Sequence, residues 1–293
     1  MIEKVLLTIC TLMIVGHSLE VTAQSNDTIK IMTWNIRLDI PDDGINQWKL
    51  RNESLCNEII QQAPGILGVQ EALINQMIDM RKLLVGYKSI GVGRDDGKKE
   101  GEFSAIFYHK SSYKKIRSGT FWLSQTPNVA GSRGWDAACN RIVTWAEFKD
   151  KHSGKHFIVF NTHFDHLGDT ARVESAKLIH KKLKELANKL PVILTGDLNV
   201  TSKDRAYRII TNPENEYVLV NSRSRALKKN GPEFSWVSFD PEFKEPTLID
   251  FIFTTYDFNI LSSTILDFRS KGRYLSDHLP VISVMELGNE KIK

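Results

Sequence analysis

One apolar run after another in this chain ends on a side chain that can do chemistry. IKIMTWNIR (29–37) carries Asn35 near its end, and GILGVQEA (65–72) carries Glu71. HFIVFNTHF (156–164) reaches His163, with Asp165 and His166 just beyond. PVILTGDLN (191–199) closes on Asp197 and Asn199, TLIDFIFTT (247–255) encloses Asp250, and LSDHLPV (275–281) presents Asp277 and His278. Short runs rich in β-branched residues read as buried strands. One polar residue at a strand end is an ordinary turn former. Six such places are hard to assign to turns alone. Asp250 is the sharpest case, because a charge among apolar neighbours is costly to bury unless it is paired or metal-bound. Asp197 and Asn199 are two apart, a spacing that puts them on one face of a strand.

Helical patterns lie between these strands. Residues 48–62 place Leu55 and Ile59 at i, i+4, and residues 74–86 align Met77, Met80 and Leu84. Residues 171–190 form an amphipathic helix with Val173, Ala176, Ile179, Leu183, Leu186 and Leu190 on one side and a solvated lysine face on the other. Further strands are predicted at 103–110, 142–150 and 280–287. This mixed order predicts an α/β fold in layers, sheets packed together with helices outside. The polar, glycine-rich stretch 93–102 reads as a mobile surface loop whose end approaches a site. Phe121, Trp122 and Trp135 lie in the unassigned stretch 111–140, where packing is preferred over base stacking.

The first residues differ in kind. An apolar run from Val5 to Val15 precedes the small-residue pattern Val21-Thr22-Ala23, which predicts a signal peptide over 1–23 and a mature domain over 24–293. An uncleaved anchor is the alternative. Cys10 lies inside the apolar run, which argues against a lipoprotein. The expectation is an exported monomer with no stable membrane insertion after cleavage. Cys56 and Cys139 could pair, but two buried thiols are the preferred reading. A formal net charge of +4 fits an anionic partner without demanding one.

Residue types narrow the chemistry. Glu71, Asp197, Asp250 and Asp277 are hard oxygen donors, and Asn35 and Asn199 add neutral oxygens. Such a set suits Mg²⁺ or Mn²⁺ rather than structural zinc. His163 and His278 are candidate charged donors to a phosphate oxygen, since nearby carboxylates favour the imidazolium.

TWNIR, GVQEA, FNTHF, TGDLN, IDFIF and LSDHLPV occur in one order between residues 33 and 281. In this the sequence resembles the endonuclease/exonuclease/phosphatase superfamily, the DNase I-like group, near its deadenylase-like and secreted bacterial members. The resemblance implies a four-layer α/β sandwich and metal-dependent cleavage of a phosphoester. It implies Asn35 and Glu71 as the metal-binding pair, with Asp277 among the ligands. Asp197 would orient or deprotonate the attacking water, Asn199 would assist at the nucleophile and phosphate, and Asp250 would support the site. Asp277 would orient His278 against the phosphate, and Glu102 would hold His163. Arg141 falls at a phosphate-contact position, although a salt bridge at a strand start is an equal alternative. Asp165 and His166 would line the substrate pocket.

The substrate stays open at this level. A phosphodiester of nucleic acid or nucleotide is the first expectation. A sphingomyelinase or phospholipase C-like activity and a small-molecule phosphomonoesterase are the alternatives. Glu-Pro-Thr-Leu-Ile-Asp-Phe (245–251) lacks the signature of inositol phosphatases. A non-catalytic binding protein on the same fold would predict gaps among the polar strand ends, and there are none.

Overall fold

The structure, a computed structural model, describes residues 28–288. The signal-peptide segment lies outside the described residues. In chain order the strands are β1 (Thr28–Asn35), β2 (Ile66–Ala72), β3 (Tyr87–Ile90), β4 (Phe103–His109), β5 (Tyr113–Trp122), β6 (Ile142–Asp150), β7 (His156–His163), β8 (Val192–Asp197), β9 (Val220–Asn221), β10 (Lys228–Asn230), β11 (Asp250–Thr254), β12 (Phe258–Ile265) and β13 (Val281–Leu287). The helices are α1 (Asn52–Gln62), α2 (Ile74–Leu83), α3 (Asp169–Leu186), α4 (Arg205–Ile210) and α5 (Ser222–Arg225).

The strands form two mixed sheets, ordered β10-β12-β13-β1-β2-β4-β3 and β5-β6-β7-β8-β11-β9. Alternating side chains of both sheets, such as Ile29, Ile31 and Ile66 from one and Phe148, Phe157 and Ile193 from the other, fill the layer between them. The outer face of the first sheet packs with Leu55 and Ile59 of α1 and Met77 and Met80 of α2. Ala176, Ile179 and Leu183 of α3 cover the outer face of the second. The result is the four-layer sandwich of a DNase I-like fold. Each sheet spends one face on its twin and one on helices, so its strands read as continuous apolar runs.

At one end the inter-sheet layer turns polar. Gln70 donates to Thr33 Oγ1 (3.0 Å) and to Asn161 Oδ1 (2.7 Å). Asn161 donates to the carbonyls of Val69 and Ala105, both at 2.9 Å. Gly68 makes room for this seam, because a Cβ there would stand 2.5 Å from Asn161 Oδ1. The seam leads from the apolar core to the strand ends that carry the candidate site.

Candidate active site

Sheet register gathers the site. His163 of β7 is the in-register neighbour of Asp197 on β8, and Asp250 of β11 is its neighbour on the other side. Three strand ends therefore place an imidazole and two carboxylates in one cross-strand row. The first sheet faces them with Asn35 at the end of β1. This row and the loops around it enclose a cavity of about 550 Å³.

Asp197 Oδ2 is the hub. Asn35 Nδ2 donates to it at 3.0 Å, His163 Nε2 lies 3.4 Å away and His278 Nε2 3.7 Å away. Asp197 Oδ1 accepts the backbone N–H of Asn199 at 2.9 Å. Asn199 lines the cavity, but not by strand alternation. The strand stops at Asp197, and Asn199 takes a left-handed φ of 48°. The spacing of two is thus an Asx-type turn that also aims two functional groups.

The imidazole of His278 is held by Asp250. Nδ1 lies 2.7 Å from Asp250 Oδ2, which also accepts the hydroxyl of Ser235 at 2.6 Å. This corrects the expectation that neighbouring Asp277 orients the ring. Asp277 instead faces the cavity beside Arg37, 3.9 Å from its Nη1. Burial works against the His278 imidazolium, but the charges of Asp250 and Asp197 prevail and raise its pKa well above the ordinary value. Asp197 is pushed up to about 7, by burial first and by Asp250 second.

His163 behaves in the opposite way. Asn199 Nδ2 is a donor, so His163 Nε2 accepts from it at 3.0 Å and the ring proton sits on Nδ1. Burial and then the charges of Arg141 and Arg94 lower its pKa well below the ordinary value. The expectation of a charged donor at this position is therefore corrected. Glu102 Oε2 is 3.8 Å from His163 Nδ1, which is too long for a hydrogen bond. Glu102 is instead gripped by Arg94 Nη1 at 2.6 Å.

Arg141 is buried and reaches the cavity wall. Its Nε points to Asp165 Oδ2 (3.4 Å) and its Nη2 to His166 Nδ1 (3.0 Å), while Nη1 has no hydrogen-bond partner. The salt-bridge reading of Arg141 is seen in its pairing with Asp165, and Nη1 lies 3.9 Å from Glu102 Oε2. His166 lines the cavity, but Asp165 does not. Asp165 accepts the N–H groups of Cys139, Leu167 and Gly168 and acts as the anchor of this wall. Those backbone bonds hold its carboxyl well below the ordinary range although burial opposes them. Cys56 and Cys139 are both unpaired; Cys56 is buried, whereas Cys139 is half-buried on the cavity wall.

Glu71 lies at a bulge where the register between β2 and β4 shifts. Its φ of 64° turns the carboxylate into the cavity, where Oε1 accepts from Asn35 Nδ2 and Oε2 from the N–H of Leu38. Arg37 (φ 58°), Glu71 and Asn199 are all left-handed and all line the cavity. Backbone strain of this kind collects at functional sites.

Several groups fit a divalent cation. Glu71 and Asp277 both open on the cavity, and the Asp277 carboxyl is raised by burial, with His278 opposing and the charge of Glu71 adding to the rise. Two carboxylates on one cavity are hard-oxygen donors suited to such an ion, whereas Asn35 turns its Nδ2 to Glu71 and its Oδ1 accepts the N–H of Arg37. Ligand-type atoms of Asp197, Asp250 and His278 also lie within 4.8 Å of one another, as do those of Cys139, Asp165 and His166. In the first of these sets Asp250 Oδ1 is buried without a partner. In the second the Asp165 oxygens already accept backbone N–H groups.

Sequence reasoning missed Arg37, Arg94, Ser235, Gln70 and Asn161. Gln70 and Asn161 stand inside quoted motifs, GVQE and FNTH, and their position in otherwise apolar runs was an available signal. Arg94 and Ser235 lie in polar stretches and give none. The stretch 93–102 expected as a loop is internally bonded: Arg94 N donates to Glu102 O (3.1 Å), Asp95 N to Glu100 O (3.0 Å), and Trp122 Nε1 to Arg94 O (2.6 Å). Phe121 and Trp122 are buried, as packing predicts.

The two sheets and their helices define the DNase I-like class of fold, with this constellation at the strand ends. A sequence profile of the Endonuclease/Exonuclease/phosphatase family matches residues 32–278, and the chain belongs to that family. It is similar to a solved endonuclease/exonuclease/phosphatase from Bacteroides vulgatus at 42% identity, covering 89% of this chain and 99% of that one, with a TM-score of 0.85. It is also similar to the mannosyl-6-phosphatase of Bacteroides thetaiotaomicron at 36% identity, covering 88% and 99%, with a TM-score of 0.82. An uncharacterized protein of Acanthamoeba polyphaga mimivirus is 27% identical over 263 residues, 83% of this chain and 94% of its own length.

Proposed function

We propose that this protein is an exported, Mg²⁺-dependent hydrolase that cleaves the phosphoester of a small phosphorylated molecule by in-line attack of water. One observation carries the chemistry. A carboxyl with a pKa of about 7 faces, across 3.7 Å, an imidazole whose pKa is raised well above the ordinary value. Near neutrality Asp197 can take a proton from the attacking water, and the His278 imidazolium can donate to the phosphoryl oxygens as charge builds on them. Asp250 keeps that ring charged and oriented. The Asn35 amide steadies Asp197, and the Asn199 amide holds the ring of His163 beside it by donating to Nε2. When bound at Glu71 and Asp277, a divalent cation supplies charge neutralisation and polarisation of the phosphoryl group.

The likeness to a mannosyl-6-phosphatase favours a phosphomonoester, such as a sugar phosphate, over nucleic acid. A cavity of about 550 Å³ supports the same choice, since it matches the size of small-ligand pockets. Export is supported by the apolar run that precedes Ala23. The test is a hydrolysis panel on residues 24–293 with p-nitrophenyl phosphate, bis-p-nitrophenyl phosphate, hexose 6-phosphates and single-stranded DNA. Each is run with Mg²⁺, Mn²⁺ or EDTA and with Asp197→Asn as control. Metal-dependent release of phosphate from a hexose phosphate, absent in the variant, is the expected result. Turnover that survives both EDTA and the substitution would overturn the assignment.

A further inference from the structure

Three buried N–H donors at one end of the cavity have nothing to donate to. They are Arg94 Nε, Arg141 Nη1 and His163 Nδ1. All belong to side chains gathered around Glu102, whose Oε2 lies 2.6 Å from Arg94 Nη1, 3.9 Å from Arg141 Nη1 and 3.8 Å from His163 Nδ1. Glu102 is the carboxylate these three side chains share; Arg141 Nε also pairs with Asp165 Oδ2 at 3.4 Å, and Asp95 Oδ1 lies 4.0 Å from Arg94 Nε, beyond hydrogen-bond reach. Asp165 meets only the Nε edge of Arg141 from behind the cavity wall, its oxygens also accepting backbone N–H groups, and it leaves Nη1 without a partner. Unpaired buried donors are rare and costly, and a cluster of them beside a reaction site points to an anionic oxygen that completes them.

The donors are also built into place. Arg94 is fixed by Glu102 through its side chain, and its carbonyl accepts the buried Trp122 indole N–H. Arg141 is 95% buried, with a relative exposure of 5%. Its Nε and Nη2 are committed to Asp165 and His166, which leaves Nη1 as the free edge. The cluster is one imidazole away from the reaction centre, since His163 Nε2 lies 3.4 Å from Asp197 Oδ2 while its Nδ1 lies 3.8 Å from the Glu102 carboxylate that the arginines share.

We propose that Arg94 and Arg141 form a subsite for the third non-bridging oxygen of a phosphomonoester, so that the enzyme selects dianionic monoesters over diesters. The proposal rests on the phosphoester reading above and names the feature that fixes its substrate class. A monoester brings three terminal oxygens and close to two negative charges at pH 7. A diester has one charge and replaces the third oxygen with an alkoxy group. That group would leave the buried donors unpaired, the situation in which polar sites discriminate most strongly. Arg94 is the specificity-determining residue, because its Nε has no hydrogen-bond partner whereas the Nε of Arg141 is already taken by Asp165.

The test compares wild type with Arg94→Gln and Arg94→Lys, both checked for folding by circular dichroism. The readouts are kcat/KM on p-nitrophenyl phosphate and bis-p-nitrophenyl phosphate, and calorimetric binding of inorganic phosphate and dimethyl phosphate with Mg²⁺ present. The expected result for Arg94→Gln is a loss of about 30-fold or more on the monoester, as for a charge-assisted bond, with diester rates within about 3-fold. Affinity for inorganic phosphate falls at least about 10-fold while that for dimethyl phosphate holds, and Arg94→Lys lies between. Equal losses on both esters, or unchanged phosphate affinity, would overturn the subsite. If wild type hydrolyses neither ester, the proposed activity fails, and the phosphate titration alone decides the subsite.

Discussion

Two histidines flank Asp197 Oδ2 at similar distances, His163 at 3.4 Å and His278 at 3.7 Å. Both are buried, yet their protons behave oppositely. The far nitrogen of His278 meets the Asp250 carboxylate at 2.7 Å. The far nitrogen of His163 has no hydrogen-bond acceptor: Glu102 Oε2 stands 3.8 Å away, itself held by Arg94. Burial alone would discharge both rings. What separates them is the balance of charge around each ring: Asp250 and Asp197 raise the pKa of His278, whereas Arg141 and Arg94 add to burial in lowering that of His163. The contrast teaches that one residue type at one distance from a reaction centre does different work according to its second neighbour.

The largest predicted effect breaks the comparison at His278. Replacing it by Gln keeps a hydrogen-bonding group but removes the positive charge, and kcat/KM should fall by roughly 10³-fold. The same change at His163 swaps one neutral polar group for another and should cost less than about 10-fold. Steady-state kinetics of the two variants, measured side by side, check this; equal losses would show that the charges do not matter.

Asp250→Asn comes next. It removes the anion behind His278, so the ring pKa falls towards its ordinary value. The alkaline limb of the rate profile, where the imidazolium is lost, should move to lower pH, with a drop in kcat of about 10²-fold at pH 8. A profile that keeps its alkaline limb would point to another acid.

Asp197 also carries a stability cost. Its folded pKa of about 7 exceeds the ordinary 3.8, so the folded state holds a proton that the unfolded state releases. That contribution is full below pH 4 and is lost as pH rises through 7. His278, also raised, adds a loss of the same sign at higher pH. In EDTA, Asp197→Asn should therefore melt higher than wild type at pH 8, by roughly 2–4 °C for each kcal/mol recovered, and match it near pH 4. Calorimetric melting temperatures at the two pH values decide it.

The smallest effect is spectroscopic. Imidazole NMR titration should show His163 remaining neutral below the pH at which an ordinary histidine charges. Arg94→Gln should move that midpoint upward, because it removes one of the cations that hold it down. A midpoint unmoved by the substitution would detach Arg94 from this histidine.

The sequence by itself determined the sandwich and most of the candidate residues. Strands buried on both faces read as apolar runs, and a carboxylate such as Asp250 inside one cannot stand there without a partner. Both are local signals. Strand β5 was not legible, because YKKIRSGTFW is an edge strand with mostly charged and polar residues along its exposed length. Strand β12, FNILSSTI, hides four polar residues among its apolar ones.

Only the tertiary structure decided who pairs with whom. Chain adjacency suggested Asp277 for His278, but antiparallel register sets Asp250 beside Asp197 and brings it to the ring from 28 residues away. It also turned Glu71 at a bulge, put Asp165 behind Arg141 rather than in the cavity, and drew Arg94 from a polar loop into the wall. The physical reason is that hydrophobic periodicity is written along the chain. Protonation and hydrogen bonding are fixed by neighbours across sheets and loops, which the chain order does not contain.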